Sequence, residues 1–327
     1  MNSGSALFQT LTEEQLHRCA RQYLGERLLG WELLKGGLFN TTYRLDLTDK
    51  SVILRLGPVN RHLLLPYEQG LMACEPAVQQ LLLSRGIPTS RTLVLDLDRG
   101  LLDRDVAIVE KIPGTNMVTV EVSAEAEYSI CRRAGEYTRV IHSITAADLP
   151  AVPSRPFGRA SAVLSGNGSA TWKEAMLTEL YQWREAAIRE KTLSDEDIGR
   201  ACRLFEGMSD AFDAVTVPTL VHGDLWYGNI LLDESGDIAA IIDGDRAFFG
   251  DPEFDLMLPW MAKKPFMEGY GRPCGATSDA ENRQMLYRFL LRLEDCYILQ
   301  SEYCNPDGYL QAKETVLEDI CALEKRI

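Results

Sequence analysis

The stretch Val221-His222-Gly223-Asp224-Leu225-Trp226-Tyr227-Gly228-Asn229-Ile230-Leu231-Leu232-Asp233 restricts this chain more than any other feature. An apolar run enters, a polar loop turns, and a second apolar run leaves. Asp224 and Asn229 stand five positions apart on that loop. A carboxylate and an amide on one tight loop can divide two tasks: one accepts a hydroxyl proton, the other binds a metal. A further apolar run, Ile238 to Ile242, ends in Asp243, and a turn through Glu234-Ser235-Gly236-Asp237 would return it beside Asn229. One oxygen from each suits a hard octahedral cation, Mg2+, that also takes phosphate oxygens.

His-x-Asp-x-x-x-x-Asn, then an apolar strand ending in Asp, resembles the catalytic pattern of the protein-kinase-like superfamily. The form His-Gly-Asp-Leu-x-x-x-Asn, with Gly250-Asp251-Pro252-Glu253-Phe254-Asp255-Leu256 behind it, resembles the aminoglycoside phosphotransferase family. The resemblance implies an α+β, bilobal protein-kinase-like fold. Residues 1–111 would form a β-rich, nucleotide-binding N-lobe, 112–116 the hinge, and 117–327 a mostly helical C-lobe. It implies ATP-dependent phosphoryl transfer to a hydroxyl of a small molecule, as in antibiotic resistance enzymes. Asp224 would then be the catalytic base, and Asn229 and Asp243 the Mg2+ ligands. His222 would brace the loop, and Asp255 would hold its backbone from below. His-Gly-Asp-Leu-Trp-x-Gly-Asn also resembles fructosamine kinases, so a sugar-amine or metabolite kinase is the alternative. A non-catalytic nucleotide-binding protein is the remote one.

The nucleotide side is read from the first third of the chain. Lys35-Gly36-Gly37-Leu38-Phe39-Asn40-Thr41-Thr42-Tyr43 puts two glycines and small polar residues between strands. Backbone N–H groups of such a loop can approach phosphates closely. The resemblance makes Gly36, Gly37, Asn40 and Thr41 nucleotide contacts. Arg55 stands where protein kinases place a phosphate-binding lysine, and its fork can reach two phosphate oxygens. Glu75 is its expected partner, with Glu68 the competitor; Pro76 suggests that a helix begins there. Ala107 to Gly114 resembles the hinge, where the backbone of Glu110 and Ile112 would bond the adenine edge. These would be main-chain bonds, so the side chains there say little about ATP versus GTP.

Other segments set the frame. Thr12-Glu13-Glu14-Gln15 is a capping box opening a helix that stops at Gly25. Alternation predicts strands within 31–56, then Thr92–Leu97 and Val106–Ile112. Residues 219–243 read as a compact strand–loop–strand–strand unit. The polar segment Pro150 to Thr171 is suited to a surface loop, and Thr171-Trp172-Lys173-Glu174 is a second capping box. Trp226 and Tyr227 either shape an acceptor pocket or pack the loop. From Asp243 to Pro252 there is no room for a segment holding a peptide, which favours a small-molecule acceptor.

Charge and cysteine content bound the partners. Net charge is −14, yet residues 1–114 carry 13 basic and 13 acidic groups, so all of it lies beyond. That argues against nucleic acid or an anionic membrane and points to a cationic acceptor, with Asp251, Glu253, Glu294, Asp295 and Glu318 as contributors. Eight cysteines without a Cys-x-x-Cys pair fit free thiols in a reducing cytoplasm. The first residues lack a basic start followed by an apolar core, so a secretory signal is not expected, and no run of 18 apolar residues predicts a membrane span. Nothing in the sequence sets the oligomeric state.

Overall fold

A computed structural model describes residues 4–35, 37–277 and 279–326. The chain is α+β, with a sheet in its N-terminal part and helices through most of the rest. Helix α1 (Glu13–Leu24) has both halves of its capping box: the Thr12 hydroxyl accepts from Gln15 N–H, and the Gln15 side chain accepts from Thr12 N–H. Gly25 ends it in the left-handed conformation, φ 68°. Strands β1 (Gly30–Leu33), β2 (Thr41–Asp46) and β3 (Ser51–Leu56) follow. After α2 (Leu71–Ser84) come β4 (Thr92–Asp96) and β5 (Val106–Glu110). They form an antiparallel five-stranded sheet in the order β1-β2-β3-β5-β4.

Alternation positions this sheet. Tyr43, Leu45, Val52, Leu54 and Ile108 pack against Leu16 and Cys19 of α1. Arg55 points to the other face, towards α2. Pro76 does not begin α2 but lies inside it. The helix starts at Leu71, after a 3-10 turn over Pro66–Gly70, and carries the proline without breaking.

The chain then crosses through β6 (Thr115–Asn116), so the last residues of the expected hinge already pair with a second sheet. Helix α3 (Ala124–Ile141) leads to β7 (Gly158–Arg159), α4 (Ala160–Leu164), α5 (Trp172–Glu190) and α6 (Asp195–Met208). The expected surface loop at 150–171 is thus partly ordered and buried. Phe157, Ala160 and Val163 enter the core, and the Arg159 guanidinium lies 3.7 Å from the Tyr67 ring centroid and 4.0 Å from that of Phe248. Its apolar residues were too sparse to show a period. At Thr171 only half a capping box forms, because Glu174 bonds the N–H of Ala170 instead.

Strands β8 (Thr219–Val221), β9 (Ile230–Leu232), β10 (Ile238–Ile241) and β11 (Phe248–Gly250) do not make one unit. β9 lies between β10 and β6, while β8 pairs with β11, which also pairs with β7. The loop after β8 therefore spans two small sheets. The chain ends with α7 (Glu253–Leu256), α8 (Lys264–Tyr270), α9 (Ala280–Ser301) and α10 (Pro306–Glu324). Helices α3 and α8 cross at two glycines: a Cβ on Gly135 would lie 2.2 Å from Phe266 O, and one on Gly269 1.9 Å from Arg132 O.

Candidate active site

The loop between β8 and β9 is fixed from beneath by Asp255. Its buried carboxylate accepts the N–H groups of His222 and Gly223, each at 2.9 Å, and meets His142 Nε2 at 3.0 Å. These contacts hold its pKa down against the effect of burial. His222 Nε2 lies 3.1 Å from Ile242 O, and its Nδ1 accepts from Asp224 N–H at 3.3 Å, so the ring ties the loop to the end of β10. Gly223 has φ 79°, and a Cβ there would meet Arg246 O at 2.3 Å. Only glycine fits that crossing.

Asp224, Asn229 and Asp243 come together above this support. Asn229 Nδ2 donates to Asp224 O at 2.7 Å and to Asp224 Oδ2 at 3.0 Å. That fixes the amide so that its Oδ1 is left for another partner. Ile242 N–H donates to Asn229 O at 3.0 Å, which puts Asp243 next to Asn229. Asp243 has φ 60°, an uncommon conformation for a non-glycine residue. Burial pushes the Asp224 carboxyl up to about 7; Asp243 and Asp245 act in the same direction, while Arg246 and the Asn229 hydrogen bond oppose them.

Among the described residues no group of three or more His, Cys, Asp or Glu could hold a metal alone. The donor set nevertheless fits Mg2+, which takes one or two protein oxygens and completes its shell with water and phosphate. Asn229 supplies a neutral oxygen and Asp243 a charged, half-exposed one.

Arg55 faces this turn. Its Nη1 lies 2.6 and 2.5 Å from the two Glu75 oxygens, and its Nη2 lies 3.0 Å from Asp243 Oδ1 and 3.1 Å from Asp245 Oδ2. Glu68 takes another partner, Arg246, at 3.1 Å. Burial pushes the Glu75 carboxyl up although Arg55 draws it down.

The remaining expected residues are unevenly placed. Gly36 lies outside the described residues. A Cβ on Gly37 would approach Asn40 O to 3.0 Å, so that turn is tight. Asn40 Oδ1 is buried without a hydrogen-bond partner among the described residues. Thr41 is not brought to the site: its fully buried hydroxyl accepts from Arg104 Nη2 at 3.2 Å and Gln9 N–H at 3.4 Å. Inward alternation along β2 accounts for this. Glu110 N–H is bonded to Arg91 O at 2.9 Å, so only its carbonyl could serve adenine; Ile112 follows beyond the end of β5.

Tyr227 packs the loop, its ring centroid 5.0 Å from that of Trp260 and its hydroxyl accepting from Lys263 Nζ at 3.1 Å. Trp226 covers Gly228 and is 48% exposed. Asp251 and Glu253 are not free acids facing a ligand. Asp251 accepts from Arg283 Nε and Tyr287 OH at 2.7 Å each, and Glu253 from Arg272 and Gln284 at 2.8 Å each. Glu318 is exposed on α10. His142, Asp245 and Arg246 escaped the sequence reading. The spacing of Asp243 and Asp245 was a signal for the second of these; His142 had none, being joined to Asp255 only in three dimensions.

A family model described as the phosphotransferase enzyme family matches residues 30–280. The chain belongs to this family. Among curated proteins it is 35% identical to ketosamine-3-kinase of Mus musculus over 121 residues, 36% of this chain and 38% of that protein. It is 26% identical to a chloroplastic protein-ribulosamine 3-kinase of Arabidopsis thaliana over 125 residues, 37% of this chain and 36% of that one. The matched stretches thus span a little over a third of the relatives' lengths. Among solved structures, a thermostable mutant of aminoglycoside phosphotransferase APH(4)-Ia aligns with TM-score 0.68 and 16% identity, covering 94% of this chain and 98% of that one. The gentamicin complex of APH(2")-IIa aligns with TM-score 0.67 and 14% identity, over 95% and 97% of the two chains. These neighbours share the aminoglycoside phosphotransferase kinase-like fold. No described helix is long and apolar enough to cross a membrane.

Proposed function

We propose that this protein transfers the γ-phosphoryl group of ATP to a hydroxyl of a small, cationic, amine-bearing molecule. The observation that carries the reading is Asp224 held by Asn229 beside Asp243, with Arg55 opposite. In this reading Asp224 orients the acceptor hydroxyl and takes its proton. Asn229 and Asp243 would hold Mg2+, which would supply positive charge to offset that of the phosphates. Arg55, set by Glu75, reaches a phosphate oxygen. Gly37 and the backbone around it line the phosphates, while the Glu110 carbonyl and Ile112 N–H border adenine. Residues 1–111 serve as the nucleotide lobe, 112–116 as the hinge and 117–327 as the acceptor lobe. GTP is a second candidate donor, because the side chains at the hinge do not select the base, and the free cysteines suit a cytoplasmic protein.

A cationic acceptor is supported by the net charge of −14, all of which lies beyond residue 114. Asp295 of α9 and Asp224 both interact electrostatically with Arg246. Glu294 adds no free charge, because it is buried and burial pushes its carboxyl up to about 8. A second reading, phosphorylation of a sugar amine, is favoured by the ketosamine and ribulosamine kinases among the curated relatives. The test is ADP release from ATP across aminoglycosides, ketosamines and amino alcohols at several salt concentrations. Exposed charges are screened over ~8 Å at physiological strength. KM for a cationic acceptor should therefore rise with salt while kcat holds. A best acceptor that is neutral or anionic, with KM indifferent to salt, would remove the cationic assignment. Absence of ADP release with every acceptor would count against transfer itself.

A further inference from the structure

The Arg55 guanidinium has three carboxylates around it, and they are not equivalent. Glu75 takes Nη1 with both oxygens, leaving Nη2 to Asp243 and Asp245. The side chains of Glu75 and Asp245 are 2% and 9% exposed, whereas that of Asp243 is 39% exposed. Asp243 is thus the partner open to exchange. The other two belong to one rigid body, because the turn carrying Asp245 packs on the helix carrying Glu75. Cys74 Sγ donates to Asp245 O at 3.4 Å, and a Cβ on Gly244 would lie 3.0 Å from Val78 Cγ1.

We propose that Asp245 is a positioning residue, which holds Arg55 in place when Asp243 leaves it for the metal–nucleotide. The inference rests on the phosphotransferase reading above. Asp245 accepts a hydrogen bond from Nη2, while Asp243 meets the same nitrogen only as an ion pair at 3.0 Å. With Asp243 engaged by a cation, that side of Nη2 would be open to a phosphate oxygen. The bond to Asp245 keeps the guanidinium plane from rotating after Asp243. Arginine is needed for this because its planar fork can meet Glu75 and Asp245 at fixed angles, while a lysine offers a single rotating nitrogen.

The test compares ADP·Mg2+ and adenosine binding by calorimetry in the wild type, Asp245→Asn, Arg55→Lys and the double variant. Loss of one charge-assisted hydrogen bond should weaken ADP·Mg2+ about 10-fold in Asp245→Asn. Adenosine affinity, the melting temperature without ligand and the Mg2+ midpoint at saturating ADP should hold. In the Arg55→Lys background the same change should cost less than about 2-fold, since the fork is already gone. An equal loss in both backgrounds would overturn the inference. So would a loss shared by adenosine, or a Mg2+ midpoint shifted as far as in Asp243→Asn, which would make Asp245 a metal ligand. If Asp245→Asn does not fold, Asp245→Glu keeps the charge and displaces it; about 3-fold weaker ADP·Mg2+ with unchanged adenosine is expected, and parallel loss of both ligands refutes it. Failure of the wild type to bind ADP·Mg2+ would instead bring down the functional reading, and this inference with it.

Discussion

Arg246 Nη2 lies 3.1 Å from Glu68 Oε1 and joins the turn after β10 to the segment entering α2. The same guanidinium lies 5.4 Å from the Phe39 ring centroid in the glycine loop, and its charge draws the Asp224 carboxyl down. Asp224 answers to burial on one side and Arg246 on the other. Burial wins, leaving it near neutrality, where a general base is most useful.

Turnover should therefore depend on pH in a defined direction. A base acts when deprotonated, so kcat/KM should rise with pH through an apparent pKa of about 7. Arg246→Gln removes the charge that holds the carboxyl down, so the rising limb should move to higher pH. A limb that stays in place, or moves down, would show that Arg246 does not set this group.

The loop residues should separate by what they lose. Asp224→Asn keeps shape and cannot take a proton, so turnover should fall about 10²-fold or more while nucleotide affinity holds. Asp243→Ala and Asn229→Ala should both weaken Mg2+-dependent nucleotide binding, with Asp243 the worse because its oxygen is charged. Isothermal titration with and without Mg2+ reads this directly; full Mg2+-dependent binding by Asp243→Ala would undo the metal assignment.

Much of this was legible in sequence because it depends on short spacing. Asp224, Asn229 and Asp243 are placed by one loop and one antiparallel pair, and a capping box fixes α1 from four consecutive residues. Less legible was whatever depends on distant packing. Arg159 looked like a loop residue, yet it is buried between Tyr67 and Phe248, 92 positions before it and 89 after it. Asp251 and Glu253 looked available, but Arg283 and Arg272 neutralise them from other segments. Thr41 looked like a loop residue but begins an inward-facing register.

Helix packing yields a stability prediction. Gly135 and Gly269 let α3 and α8 approach without side chains between them. Gly135→Ala places a methyl against backbone that cannot move aside cheaply, so urea unfolding should show a loss of about 1–3 kcal/mol. The equivalent change at exposed Gly207, also helical and with no heavy atom within 4 Å of its built Cβ, should stabilise or be neutral. Equal effects at both would mean that the crossing is looser than these distances imply.

Glu302 links stability to pH with a definite sign. Both its carboxyl oxygens are buried without a hydrogen-bond partner among the described residues. Burial pushes its pKa far up, and the adjoining Glu68 and Glu294 carboxylates push it further, against the pull of Arg246. The folded protein therefore keeps a proton that the unfolded chain releases above a pKa of about 4.3. Stability from this group is full below that value and declines as pH rises towards the folded pKa. Glu302→Gln is neutral throughout and close to the same size. At pH 4, below the unfolded pKa, the variant and the wild type should melt together. At pH 9 the variant should melt higher, and the gap should widen steadily in between. Calorimetric melting temperatures across this range decide it: a gap that is constant, or that closes with rising pH, would show that Glu302 is ionised in the folded protein.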